Sequence, residues 1–239
     1  MKLMKSKLFQ ILCIGLVGIA LLTGAIVYLT VTLPRQRRQE EHLRQVQEYR
    51  DAKMERYRQE NAQWEDYEVD VAFLGDSLTD LYDLEQYYPQ YKTANRGIGG
   101  DTTSTLKERL EVSVYELKPK VVVLLIGANN VDTMLDDYEQ ILQDLQTGLP
   151  RTKVVLLSLT AMGGKIWGIN NQRAAYNNVT IRLLAEKYGY PFIDLYSPMF
   201  DISTGEVYDG YTIDGAHLTP LGYTVITGKI TPVLETLLG

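Results

Sequence analysis

The chain has 239 residues, enough for one domain of ordinary size and an appendage, and 45% of them are hydrophobic, enough for a packed core. A formal net charge of -6 argues against a nucleic-acid partner, because no basic face is implied that could release counterions from phosphate. The single cysteine, Cys13, excludes a disulfide framework and a cysteine zinc site, and only two histidines, His42 and His217, are available to a reaction that needs an imidazole base.

No residue from 8 to 33 is charged. As a helix rising about 1.5 Å per residue this run spans roughly 39 Å, enough to cross the hydrocarbon core with some tilt. It is expected to form an uncleaved transmembrane anchor, residues 1–34, that attaches the protein to a cell membrane. A cleaved signal peptide would have a shorter apolar region and end in a small-x-small site, which is missing. A buried core helix rarely stays free of polar residues over so many turns. Lys2, Lys5 and Lys7 favour a cytoplasmic N-terminus, whereas Arg35, Arg37 and Arg38 oppose it. Long C-terminal domains translocate despite flanking charge, so the remainder is expected outside the cell.

Pro34 is expected to end the anchor. Residues 35–66 are rich in Arg, Gln and Glu and contain no Gly or Pro, with pairs such as Glu40 and Arg44 at helical spacing. They predict a solvated helical stalk without the a/d heptads of a long coiled coil. From Tyr67 onward the texture changes. Strands are predicted at 69–75, 121–127, 154–159 and 191–195, with a weaker one at 91–95. The run VVVLLIG at 121–127 is continuous and apolar, as in a strand buried on both faces. Helices are predicted at 102–117, 135–147, 171–188 and 218–238. Residues 67–239 therefore read as an α/β domain, a parallel sheet covered by helices on both faces. In such sheets active sites gather beyond the carboxyl ends of the strands.

Polar residues stand at those ends. Gly75-Asp76-Ser77-Leu78 follows the first strand, Asn95-Arg96-Gly97-Ile98-Gly99-Gly100-Asp101 the second, and Gly127-Ala128-Asn129-Asn130 the third, while Asp214-Gly215-Ala216-His217 lies near the C-terminus. Taken singly each has a bland reading. Ser77 could cap a helix, the glycines could serve a tight turn, Asn129 could bond locally in a turn, and Asp214 and His217 could be a surface pair. The glycines match neither a P-loop nor a dinucleotide fingerprint.

Together and in this order the four blocks resemble those of the SGNH (GDSL-type) hydrolases, and NRGIGGDTT with IGANN is similar to the platelet-activating-factor acetylhydrolase-like branch. The resemblance covers about residue 69 to the C-terminus. It implies a three-layer, flavodoxin-like α/β/α fold and a serine esterase. Ser77 matches the family's nucleophile, His217 its general base, and Asp214 the residue that orients the imidazole. The oxyanion hole is implied to be the Ser77 N–H, the Gly100 N–H and the Asn129 side chain. Asn130 departs from the Asp usual after that Asn, and Asp76 and Asn95 are expected to serve structure. Neither metal nor cofactor is expected, because the two histidines leave no ligand cluster. The implied substrate is a small-acyl ester of a glycan or a lysophospholipid-type lipid. An acyltransferase using the same residues, or an inactive membrane-tethered binding module, are the alternatives. Tyr82, Tyr87, Tyr88 and Tyr91 could line a substrate pocket or simply pack, and 161–169 is the loop expected to carry any apolar rim.

Overall fold

The computed structural model describes Phe9, Gly15, Leu16, Gly18 and residues 21–239. They divide into two compact units, Met1–Ala52 and Lys53–Gly239.

In the first unit a π-helical turn, Tyr28–Thr32, passes directly into the long helix α1, Leu33–Asn61. Pro34 therefore lies inside helical structure rather than at its end. A proline lacks the N–H that would bond back one turn, and its ring crowds the carbonyl there. The wider turn, in which the Leu33 N–H donates to the Tyr28 carbonyl, makes room for it. The membrane span expected at 8–33 falls partly on residues 8, 10–14, 17, 19 and 20, which lie outside the described ones. Among the described residues no helix is long and apolar enough to cross a membrane. The continuously described part of the apolar run is 21–33. Leu21, Leu22, Ile26 and Leu29 on it are exposed, as is His42 further along α1.

The second unit begins on the last turns of α1, where the expected stalk is packed rather than solvated: Tyr57 and Asn61 are both buried. Five parallel strands follow, β1 (Val71–Gly75), β2 (Thr93–Gly97), β3 (Val121–Leu125), β4 (Lys153–Leu157) and β5 (Phe192–Ile193), in the order β2-β1-β3-β4-β5. Alternate side chains enter different cores, as a period of two requires. Ala72, Leu74, Val122 and Leu124 join one, while Val71, Phe73, Val121 and Val123 join the other. Helices cover both faces. The first core takes residues from α5 (Leu135–Gly148) and α6 (Asn171–Tyr188), and the second takes residues from α2 (Ser77–Asp80), α3 (Leu84–Tyr87) and α7 (Pro220–Leu238). The expected three layers are thus present, each buried Val, Leu or Ile contributing about 1.5–3 kcal/mol.

One of the predicted helices needs correction. The helix predicted at 102–117 is α4 (Thr103–Lys107) followed by a separate π turn, Glu111–Tyr115. Here Arg109 and Ser113, on a face that periodicity assigns to apolar residues, are buried and bonded to each other at 2.7 Å. The four tyrosines, open in the sequence between lining a pocket and packing, all lie in a core or against it. Tyr82 and Tyr88 belong to the second core, and Tyr87 and Tyr91 pack against it. Tyr82 stacks on Tyr223 at 4.6 Å and bonds the Tyr88 hydroxyl at 3.0 Å.

The chain leaves β1 toward β2 on one side and reaches β3 on the other. The carboxyl ends of β1 and β3 therefore flank the crevice where strand order reverses, the place where ligands bind in open α/β sheets.

Candidate active site

β1 ends at Gly75, and Asp76 then caps α2 by accepting the Leu78 N–H at 3.1 Å. The cap is therefore Asp76 and not Ser77. The Ser77 hydroxyl, free of capping duty, lies 3.0 Å from His217 Nε2. His217 Nδ1 is 2.8 Å from Asp214 Oδ2. With Nδ1–H donating to the carboxylate, Nε2 becomes the acceptor for the Ser77 O–H, which is the tautomer that proton abstraction requires.

The turn 214–217 builds this pair locally. Asp214 Oδ1 accepts the backbone N–H groups of Ala216 at 3.1 Å and His217 at 2.9 Å, an Asx turn that fixes the carboxylate beside the ring. Burial raises the Asp214 pKa, but the His217 side chain and these two N–H donors outweigh it and hold the group down at about 2. It stays anionic at any working pH. The turn also needs Gly215, which has φ +99, and a Cβ there would meet the Gly163 carbonyl at 2.0 Å.

On the other side of Ser77 the loop after β2 carries Gly100 at φ +82. Among the described residues the Gly100 N–H donates to no protein acceptor. Asn129, after β3, donates from Nδ2 to the Asp101 carbonyl at 2.9 Å, which places its amide against the residue that follows Gly100. One Nδ2 hydrogen remains for another acceptor. Asn130 instead tethers the start of α4, donating to Thr103 Oγ1 at 3.0 Å. Asn95 closes the end of α2, donating to the Thr79 carbonyl at 2.7 Å and accepting the Gly97 N–H at 2.9 Å. Of the expected residues, then, Ser77, His217 and Asp214 form one hydrogen-bonded chain, and Asn129 sits beside the Gly100 loop. Asp76, Asn95 and Asn130 hold the scaffold.

Asp76 is fully buried, and its Oδ2 accepts no complete hydrogen bond. Burial first, and the Asp101 carboxylate second, push its pKa up to about 7 against the Leu78 and Ala128 N–H groups and His217. A carboxyl whose folded pKa exceeds its unfolded value contributes stability that is complete below about pH 4 and is lost as pH rises through about 7. Asp76→Asn keeps the cap and removes the ionisation. Urea denaturation from pH 4 to 8 should show wild-type stability falling by up to about 1.4 kcal/mol per pH unit from this group, and a flatter profile for the variant.

Sequence reasoning missed Arg109. Its Nε lies 2.6 Å from Asp101 Oδ2, and its other nitrogens donate to Ser113 Oγ at 2.7 Å and to the Gly75 carbonyl at 2.9 Å. Arg109 and Asp101 are both buried. The pair bolts the loop carrying Gly100 to the strand end that carries the serine. The only hint in the sequence is an arginine on a helical face otherwise apolar at Leu106, Leu110 and Val114.

The suspected loop at 161–169 does stand at the rim. The Gly163 N–H donates to the Gly215 carbonyl at 2.9 Å, and the Gly164 N–H to Glu206 Oε2 at 2.8 Å. Trp167 meets His217 edge-on, ring centroids 6.0 Å apart. Ile166, Ile169 and Ile213 are 71%, 84% and 76% exposed, so apolar side chains project around the histidine turn. A groove of about 450 Å³ runs along Asp132, Ile169, Asn170, Arg173 and Tyr176.

Residues 73–225 match the sequence profile of the GDSL-like Lipase/Acylhydrolase family. The chain is 30% identical over 184 residues to the alpha2 subunit of human platelet-activating factor acetylhydrolase IB, an alignment covering 72% of this chain and 79% of that one. A GDSL-like lipase from Bacteroides thetaiotaomicron superposes with a TM-score of 0.69 at 25% identity, covering 77% of this chain and 98% of that one. An acetyl xylan esterase superposes at 0.58 with 26% identity, covering 69% and 99%.

Proposed function

The chain belongs to the GDSL-like lipase/acylhydrolase family of carboxylic ester hydrolases, and from that premise we propose that it hydrolyses short-acyl esters through Ser77, His217 and Asp214. The hydrogen-bonded chain from Ser77 Oγ to Asp214 Oδ2 carries the proposal.

Ser77 Oγ attacks the ester carbonyl as His217 Nε2 takes its proton, and Asp214 steadies the imidazolium. The carbonyl electron pair moves onto oxygen, where the Ser77 N–H, the Gly100 N–H and Asn129 Nδ2 receive it. Collapse expels the alkoxide, which takes the proton from His217 and leaves an acyl-serine. Water, activated by the same imidazole, releases the carboxylic acid and restores the serine. Asn129→Ala removes one donor. It should lower kcat on p-nitrophenyl butyrate by about 10²–10³-fold, while thermal unfolding reports no more than the lost bond to the Asp101 carbonyl, about 1 kcal/mol.

Two relatives are named for acetyl esters, one an acetylhydrolase and the other an acetyl xylan esterase. That common acyl group supports a small acyl chain here. The alcohol portion is an O-acylated glycan or a lysophospholipid-type lipid. Trp167, half-buried beside His217, would be the aromatic neighbour of a sugar, and the exposed Ile166, Ile169 and Ile213 offer apolar surface to a lipid. The uncharged run at 8–33 supports a membrane anchor, which carbonate extraction of membranes tests, and with such an anchor the catalytic unit is expected outside the cell. Rates of the full chain on p-nitrophenyl acetate, butyrate and octanoate test the substrate class. The proposal expects acetate and butyrate to be preferred. Preference for octanoate overturns the short-acyl assignment, and no turnover of any ester leaves the binding-module alternative.

A further inference from the structure

The helix that enters the second unit does more than lead into it. We propose that Lys53 and Tyr57, on the last turns of α1, are positioning residues for the oxyanion hole, acting through Asp80 and Gly97 on the Gly99–Gly100 backbone, a role that rests on the esterase reading above.

Asp80 closes the short helix that Ser77 opens. One of its carboxylate oxygens accepts the Gly99 N–H at 3.1 Å, and the other is paired with the Lys53 ammonium. The Asp80 side chain is only 9% exposed and that of Lys53 22%, so the pair is shielded from water. A single carboxylate therefore spans the nucleophile's helix and the residue immediately before Gly100. Lys53 holds that carboxylate from α1.

Tyr57 makes the second contact. Its hydroxyl donates to the Gly97 carbonyl at 2.5 Å, at the end of β2, and the residue, 2% exposed, clusters with Ile98 and Val112. The Arg96 guanidinium lies 4.6 Å over that ring and is held by Glu60 Oε2 at 2.7 Å and Asn61 Oδ1 at 2.9 Å. Four points of the loop, on both sides of Gly100, are thus fixed. Tyr57 holds Gly97, the Gly75 carbonyl holds the Ile98 N–H, Asp80 holds the Gly99 N–H, and Arg109 holds Asp101. Gly100 alone keeps its N–H for another acceptor. A glycine loop has little conformational preference of its own. Where its N–H points is decided by these flanking anchors, of which Tyr57 comes from α1 and Asp80 is held from α1 by Lys53. A displacement near 1 Å at such a donor is enough to cost about a hundredfold in rate.

The test uses the full chain with Asp80→Ala, Asp80→Asn, Lys53→Met, Lys53→Arg and Tyr57→Phe. Turnover of p-nitrophenyl butyrate is measured per active site titrated with a fluorophosphonate. Inhibition by an alkyl trifluoromethyl ketone is measured beside it. Ser77 Oγ bonds to that ketone's carbonyl carbon, its proton passes to His217, and the resulting oxyanion occupies the hole. The expected result is kcat lowered about ten- to a hundredfold in Asp80→Ala, Lys53→Met and Tyr57→Phe with KM within about twofold. The ketone's Ki should rise by the same factor, and Asp80→Asn and Lys53→Arg should recover most of both losses. A purely structural role would lower the melting temperature and the titrated fraction but leave kcat per site and the ketone's Ki unchanged, and that result overturns the proposal. Wild type that neither turns over ester nor reacts with the fluorophosphonate overturns the esterase reading itself, a different failure.

Discussion

Ser77→Ala is expected to abolish measurable ester turnover, a loss of about 10⁴–10⁶-fold in kcat, with the denaturation midpoint unchanged. In the proposed mechanism the hydroxyl is the attacking atom, and its removal leaves only binding and the oxyanion donors. Ser77 is only partly buried and its backbone leads α2, so alanine is compatible with the local structure. His217→Ala should cost about as much, because the serine is a weak nucleophile without a base at 3.0 Å. The informative variant is the double replacement. Residues that act as one unit are grossly non-additive, so Ser77→Ala/His217→Ala should be no slower than either single change. Steady-state rates of the three proteins on p-nitrophenyl acetate check this. Additive losses would show that the two side chains act in separate steps.

The largest expected effect on stability belongs to Arg109. Arg109→Met leaves the buried Asp101 carboxylate without its ion pair and the Gly75 carbonyl without that donor. Breaking a buried pair from one side costs about 3–5 kcal/mol, a large part of the roughly 5–15 kcal/mol that holds a domain folded. Asp101→Asn in the same chain removes the stranded charge, and the double variant should regain part of the loss. Urea midpoints of wild type, single and double variants measure it. The single variant should also lose activity, because Asp101 follows Gly100 and its carbonyl holds Asn129. Equal stability of Arg109→Met and wild type would mean that the pair is replaced by solvent.

How much of this could be read from the chain follows from the range of the interactions involved. The strand at 121–125 is legible because both of its faces are buried and its sequence is continuously apolar. The edge strand β5 shrinks to Phe192–Ile193 because a sequence pattern cannot say how far a neighbour pairs. The grouping of Ser77, Asp214 and His217 is legible because Ser77 follows a strand, the blocks come in a recognisable order, and the Asp–His contact is local. Arg109, Asp80 and Tyr57 are not. Tyr57 reaches a carbonyl 40 positions away, and the buried face of α1 carries Lys53, Tyr57 and Asn61 rather than an apolar stripe. It buries by hydrogen bonding, so it has no hydrophobic period and reads as solvated stalk. Pro34 shows the converse. A breaker by composition, it is accommodated by a π turn that local propensity does not reveal.

The most direct test of the serine mechanism is covalent labelling of the full chain with a fluorophosphonate, followed by intact mass and peptide mapping. Phosphorus bonds to the activated serine oxygen and fluoride leaves. The Ser77–His217–Asp214 chain predicts one adduct per molecule, on Ser77, and none on Ser77→Ala or His217→Ala at the same exposure. A folded wild type that stays unlabelled, or an adduct on another residue, would contradict it.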